Sequence, residues 1–310
     1  MDYQNQKTSK ERQVKIGIQT MFDGRQTGPL TAFIMDFGRH AEASGFASIW
    51  MSEHVVTFEA YDPAYRYPYA DDGIAPGFLA DAGMLDPLSA LMVLATCTSQ
   101  IMLGTGIAIL PQRNPVYFAK QGTDVDLLSN GRFLAGLGLG WSGQEYEALG
   151  VPFAHRGSRL NEYVEVVRSL WQDDVSSFTG AFYALPRCVQ KPKPARRPHP
   201  PFYFGGESEP ALRRTAKQGD GWLAFRLTPA MLAPRIARLR ELLAEAGRPE
   251  DAVDIIVSPA DYACDADTLA GYATLGVSQV TFPVVAGNID DARWQLDQLA
   301  ATMLAPAAGM

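Results

Sequence analysis

The sequence predicts an α/β protein built as one (β/α)₈ TIM barrel, and three observations lead there. Eight short, β-rich runs alternate strictly with eight stretches that read as helices. The runs are nearly continuous in apolar residues, the pattern of parallel strands buried on both faces. The length of 310 residues suits one barrel with insertions. An open doubly wound sheet would show the same alternation, and the count of eight favours closure.

The elements follow in order. VKIGIQ from Val14 is the first strand, and Pro29 opens a helix with apolar Leu30, Phe33, Ile34 and Phe37 on one face. Gly45 ends that helix, FASIWMSEH is the second strand, and its helix runs from about Asp86 to Thr98. IMLGTGIAIL from Ile101 is the third, with a helix over about Pro115 to Leu128; FLAGLGLG from Phe133 is the fourth, with a helix over about Leu160 to Trp171. PFYFGG and EPALRRTAKQG form the fifth unit, GWLAF and Pro229 to Ala246 the sixth. VDIIVSP from Val253, with a helix near Asp267 to Leu275, is the seventh; QVTFP from Gln279, closed by a helix from about Asp290, is the eighth. Residues 1–12 read as a flexible polar tail and 13–310 as a single barrel domain. Two insertions interrupt the pattern: Thr57 to Leu85 after strand two, and Asp173 to Pro201 between helix four and strand five, where VSSFTGAFYAL has the form of a hairpin.

Composition bounds the function. With 47% hydrophobic and 20% charged residues the chain has a sizeable core, and no apolar run reaches the roughly 18 residues of a membrane span. The polar N-terminus lacks a secretory h-region, and Cys97, Cys188 and Cys264 are too scattered for zinc or a disulfide framework, so the expected location is the cytoplasm, away from membranes. A net charge of −7 opposes a nucleic-acid partner. Against that trend, Arg187, Lys191, Lys193, Arg196, Arg197, Arg213 and Arg214 face only Glu207 and Glu209 in their segment, which points to an anionic ligand nearby.

Barrel active sites form where strands end and loops begin. Strand two ends in Ser52, Glu53 and His54; the imidazole can exchange a proton near neutral pH, while Glu53, alternating in direction, points toward the helix layer. For His54 a purely structural tie to Glu53 is the competing reading. Strand three carries Thr105, Gly106 and Ile107, and strand four ends at Gly140 and Trp141. Glycines this dense serve either close approach to a flat ring or tight packing within the protein, and both readings stand. In FGGESEPALRR, Gly205 and Gly206 finish a strand, Ser208 can cap, and Pro210 opens a helix whose first-turn amides suit a phosphate; an ordinary loop and cap would look alike. Tyr61, Tyr65, Tyr67, Tyr69 and Phe78 make the first insertion a candidate lid over an apolar organic substrate, unless they pack on one another in a solvent-exposed insertion. Metal, hydrolase and nucleotide-triphosphatase motifs do not occur, which leaves an organic cofactor to supply the difficult chemistry.

The series GFASIWMSEH, IMLGTGIAILPQRNPVYFAKQGTDVDLLSNGRFLAGLGLGW, EYEALGVPFAHRGSRLNEYVEVVRSLW and PFYFGGESEPALRRTAKQGDGW, in this order, resembles the luciferase-like monooxygenase superfamily, and within it the coenzyme F420-dependent oxidoreductase branch. The resemblance implies a cofactor at the C-terminal mouth, its ring against strand three and its phosphate near the loop after strand five. It implies that Gly106 and Ile107 form a bulge with a non-prolyl cis peptide, that His54 lies beside the reactive ring, and that Glu53, Thr105, Gly140, Trp141, Gly205, Gly206, Glu207 and Ser208 contribute to the cofactor site. Sugar-phosphate dehydrogenases of the superfamily carry a Glu where this chain has Trp141, so sugar-phosphate oxidation is not expected. His54 then leads as proton-transfer group, with Glu145 second.

The expected activity is hydride transfer between F420 and an organic substrate, in a homodimer. A monooxygenase using reduced FMN and O₂ is the alternative, and a non-catalytic flavin-binding or partner-binding barrel a third.

Overall fold

A computed structural model describes residues 13–65, 67, 73 and 83–308. Strands β1 (Lys15–Thr20), β2 (Ser48–Met51), β3 (Met102–Thr105), β4 (Phe133–Leu137), β7 (Phe202–Gly205), β8 (Gly221–Ala224), β9 (Asp254–Val257) and β10 (Gln279–Pro283) form a closed barrel in which each neighbours the next. All eight pairings are parallel, and the barrel closes where Lys15 to Gln19 of β1 align with Gln279 to Pro283 of β10. The expected hairpin is present as β5 (Ser176–Thr179) and β6 (Ala184–Cys188), antiparallel and outside the barrel.

The helices α1 (Leu30–Ala43), α2 (Pro87–Cys97), α3 (Pro115–Leu128), α5 (Arg156–Gln172), α6 (Glu209–Gln218), α7 (Pro229–Glu245), α8 (Ala266–Thr274) and α9 (Ile289–Leu299) accompany the barrel strands. Their starts follow local chemistry. Asp86, Asn114 and Thr228 each accept an amide of the first turn while proline occupies an early position that needs no donor. Among the described residues, no helix is long and apolar enough to cross a membrane.

Three details differ from the sequence reading. The third run is a strand only to Thr105; beyond it the Gly106–Ile107 peptide bond is cis, and Leu110–Gln112 forms a 3₁₀ turn. A short helix, α4 (Gly143–Ala148), follows β4. The helix expected from Leu160 begins a turn earlier, at Arg156; left-handed His155 precedes it without a side-chain cap, so no capping residue marks the start.

Register explains how the interior is filled. Trp50 aligns with Gly104 and Tyr203 with Gly221, and a Cβ on either glycine would come within 2.3 Å or 2.0 Å of the facing ring. The two rings meet edge to face, 5.5 Å apart, above Leu134 and Ile256. A second, larger apolar layer lies between the strands and the helices, with Phe37, Leu91, Phe118, Trp171, Leu212 and Ile236 among its buried members.

The barrel floor is pinned by charge against backbone. Glu42, at the end of α1, accepts the amides of Ser99, Gln100 and Ile101 and the Ser99 hydroxyl, all within 2.7–3.0 Å. Burial works against its carboxylate, but the amides of Ile101, Gln100 and Ser99 outweigh that and hold its pKa below the ordinary 4.5. A depressed carboxyl stabilises the fold above the unfolded-state pKa and loses that contribution as pH falls through the folded one. Glu42→Gln should therefore lower urea stability at pH 7 by about 1 kcal/mol, discounted for exposure. The gap between the two proteins should narrow as the pH is taken well below 4.5 in the same denaturation experiment.

Candidate active site

The C-terminal ends of β2, β3 and β4 are bound to one another through Glu53, His54 and Glu145. Glu53 is buried, and both of its oxygens are engaged: Oε2 accepts the Ile109 amide at 2.6 Å, and Oε1 accepts Arg113 Nε at 2.7 Å. Arg113 also reaches Asp86, the cap of α2. Burial pushes the Glu53 carboxyl up, against the pull of Arg113 and the Ile109 amide. Glu53 thus supports the loop after β3, both of its oxygens being engaged by protein donors. Thr105 is likewise engaged: its buried hydroxyl donates to the Gly136 carbonyl at 2.6 Å.

The glycines of β3 and β4 are explained by protein contacts. A Cβ at Gly106 would lie 2.9 Å from Trp50. One at Gly136 would meet the Thr105 carbonyl at 1.8 Å, one at Gly138 the Ile107 side chain at 2.0 Å, and one at Gly140 Ile109 at 3.0 Å. GLGLG is therefore a row of hollows that receives residues 105, 107 and 109 across the ladder, where Ala108 bonds to Gly136 and Gly138. Gly205 continues the row, 3.1 Å from Ile107 by the same measure, so the Ile107 side chain lies against the end of β7.

His54 projects from the end of β2 into a different partnership. Its Nδ1 lies 3.2 Å from Oε2 of Glu145, which is fully buried on α4. The other carboxylate oxygen accepts the Val55 amide at 2.7 Å, and Gln112 Nε2 approaches Oε2 at 3.4 Å. With Glu145 accepting, the Nδ1 position carries the hydrogen and Nε2 is the imidazole's proton-exchanging nitrogen. Nε2 has no protein partner among the described residues. The structural tie of His54 is thus to Glu145 and not to Glu53.

Trp141 stands beside this pair, 6.1 Å from the His54 ring and edge-on to it. Tyr61 and Tyr67 of the first insertion each lie 5.1 Å from Trp141. Tyr65 packs on Phe153 at 5.1 Å and fills the space a side chain at Gly143 would need. Tyr69 and Phe78 lie outside the described residues.

The loop after β7 contains Gly206 in a left-handed conformation, φ +111°. Glu207 accepts the Phe225 amide at 2.9 Å and is pushed up by burial. Ser208 occupies the cap position of α6, but its hydroxyl caps nothing. Arg213 pairs with Glu209 and Glu245 on the surface, while Arg214 is buried between helices on Asn161 and Gly157. Nor does the basic stretch gather at the mouth. Lys193 donates to the Leu170 and Asp173 carbonyls beyond α5, and the Arg196 amide binds Asp126 near the start of β4, both at the opposite end of the barrel.

The sequence reading missed Gln112, and it missed a wall formed after β8 and β9. Arg226, Asp261 and Tyr262 all have left-handed backbones, with φ of 55°, 50° and 56°. Arg226 pairs with Asp261 at 2.5 Å, Tyr262 packs on Phe225, and Tyr67 approaches closely enough that Arg226 opposes the upward push of burial on its phenol. No glycine or turn motif marks these positions; their grouping exists only once the barrel closes.

Comparisons with known proteins bear on the fold and the family. The luciferase-like monooxygenase family profile matches residues 14–270. The uncharacterized protein Rv0953c of Mycobacterium tuberculosis is 32% identical over 271 residues, spanning 86% of this chain and 92% of the relative. Pyrimidine monooxygenase RutA of Allorhizobium ampelinum is 33% identical over 141 residues, 44% of this chain and 38% of the relative. Among solved structures, an F420-dependent secondary alcohol dehydrogenase in complex with an F420–acetone adduct superposes with a TM-score of 0.74 at 16% identity, covering 95% and 99% of the two chains. Monooxygenase RslO1 from Streptomyces bottropensis gives 0.73 at 17% identity, covering 94% and 99%. The fold is therefore shared with F420-dependent and monooxygenase barrels alike, and the chain is a member of the luciferase-like monooxygenase family.

Proposed function

We propose that the chain is an oxidoreductase that transfers a hydride between coenzyme F420 and a small organic substrate at the C-terminal mouth of its barrel. The observation that carries this reading is the Glu145-held His54 beyond β2, one strand from the Gly106–Ile107 segment where β3 leaves its ladder. Three features fit a flat cofactor with an anionic tail. The Gly106–Ile107 backbone leaves the ladder while the Ile107 side chain lies against Gly205; Gly206 opens the next turn; and α6 begins there with its amides directed toward the mouth. Arg213, Arg214 and Lys193 add nothing to the reading, because each is engaged by protein groups.

When bound, the deazaflavin would supply the carbon that gives or takes the hydride. This chain's residues supply position and proton management. Glu145 accepts the Nδ1 hydrogen, fixes the tautomer, and stabilises the imidazolium formed when Nε2 takes a proton from the substrate. Gly106 and Ile107 would bear on the ring, with Gly205, Gly206 and Ser208 near the phosphate. Trp141, Tyr61 and Tyr67 form an apolar wall that keeps water from the reacting atoms. The second reading, a monooxygenase working with reduced FMN, is favoured by one observation: RutA resembles this chain in sequence more than the F420-dependent structures do.

Titrating the purified protein with F420 and with FMN, each oxidised and reduced, separates the two. F420 should bind and FMN should not; tight FMN uptake with negligible F420 binding would overturn the proposal. With the preferred cofactor in place, His54→Ala should lower kcat by about 10²- to 10⁴-fold, the usual reach of general acid–base catalysis. Glu145→Gln, which keeps the shape but loses the charge, should fall between wild type and His54→Ala. A His54→Ala protein with undiminished steady-state turnover would remove the histidine from the mechanism.

A further inference from the structure

The short helix α4 places consecutive side chains on two different parts of the mouth. Glu145 holds His54 and the Val55 amide, as described. Gln144, one residue before it, clasps the first insertion at two points: its Oε1 accepts the Asp62 amide at 2.7 Å, and its Nε2 donates to the Ala60 carbonyl at 3.2 Å. Tyr61 lies between those two anchor points. Asp62 closes the turn that follows, accepting the Ala64 amide at 2.8 Å, and Tyr65 settles against Gly143. The backbone on both sides of Tyr61 is thereby fixed to the helix that orients the histidine.

Tyr61 itself is unusual. Its ring is engaged, 5.7 Å from Phe58 and 5.1 Å from Trp141, but its hydroxyl is buried without a hydrogen-bond partner. Burial pushes its pKa up, and Glu145 pushes it further; the Phe58 amide acts the other way without making a hydrogen bond. The phenol is thus neutral and a donor at ordinary pH. A buried hydroxyl without a partner is unfavourable and rare in folded proteins, and one beside the proposed site points to a ligand atom that completes it. Trp141 neighbours both Tyr61 and His54, so the two rings flank one indole.

We propose that Tyr61 donates a hydrogen bond to an uncharged oxygen of the substrate, a carbonyl or hydroxyl, and that Gln144 is the positioning residue that holds it there. The proposal rests on the mouth being the substrate side of the proposed oxidoreductase. An uncharged oxygen is preferred over a carboxylate because Glu145 lies close and no cation adjoins Tyr61 among the contacts of its ring.

Cyclohexanone and methylenecyclohexane test this, having one shape but only one of them a strong acceptor. Their dissociation constants would be measured by ligand-observed NMR on the full chain, as wild type, Tyr61→Phe, Gln144→Ala and the double variant, with and without F420. Wild type should bind the ketone about 10-fold or more tightly than the hydrocarbon, a difference of about 1.4 kcal/mol. Tyr61→Phe should abolish the preference and leave hydrocarbon affinity unchanged. Gln144→Ala should reduce it, and the double variant should fall no lower than Tyr61→Phe, as expected of two residues acting through one contact. Equal affinities in wild type, no saturable ketone binding, or an equal loss of both ligands in Tyr61→Phe would overturn the assignment. If Gln144→Ala does not fold by circular dichroism, the Tyr61→Phe comparison decides alone. A ketone preference in a protein that ignores F420 would remove the cofactor reading and keep Tyr61; F420 binding without a ketone preference would do the reverse.

Discussion

A carboxylate removed from water is stable only when donors replace the hydration it has lost, and the mouth of this barrel is arranged around one such group. Glu145 receives the Val55 amide from the loop after β2, the His54 ring from the same loop, and the amide of Gln112 from the 3₁₀ turn after β3, while its own backbone belongs to the helix after β4. Three successive strand ends are therefore tied by one side chain. Their relative placement fixes where His54 can point, which wall Trp141 forms, and where the first insertion can dock. An uncharged replacement of the same shape would keep much of the packing; a smaller one would leave the Val55 amide and the imidazole without their acceptor.

The hollows of β4 are the complementary constraint. Gly136, Gly138 and Gly140 sit opposite residues 105, 107 and 109, so a run that lacks side chains at alternate positions makes room for its neighbour. This lets the segment after Thr105 stay close to β4 while leaving the regular ladder, with Ala108 as the one bridged residue. Close approach is what the glycines provide, as their density in the sequence suggested. The group approached first, however, is Ile107 or Ile109, and any flat ring would meet the surface those side chains complete.

The fold was legible because alternation and apolar continuity are local properties, and the capped helix starts at Asp86, Asn114 and Thr228 are local as well. His54 was legible from its strand end, and the cis Gly106–Ile107 bond from the resemblance. Glu145 ranked second because nothing near it in the sequence indicates that a residue 91 positions earlier will be its partner. Arg226, Asp261 and Tyr262 were invisible for the same reason. The basic stretch misled because charge was counted along the chain: the segment crosses from one end of the barrel to the other, so residues close in sequence serve different ends.

Those two ends use charge differently, and the difference bears on where function can reside. On the floor, ionised side chains bind backbone almost exclusively. Glu42 takes three amides, and Arg132 donates to the carbonyls of Ala95, Thr98, Ile101 and Ser129. Arg248 donates to those of Thr215, Ala216, Gly219 and Ala252. Such contacts close turns, and no ligand can replace them without opening the fold. At the mouth two buried carboxylates divide their oxygens: Glu53 between the Ile109 amide and Arg113, Glu145 between the Val55 amide and His54. One oxygen holds a loop in place; the other meets a side chain, an arginine at Glu53 and an imidazole at Glu145. Different atoms of one residue thus hold a loop and a side chain, which is how a mouth can be held rigidly from beneath.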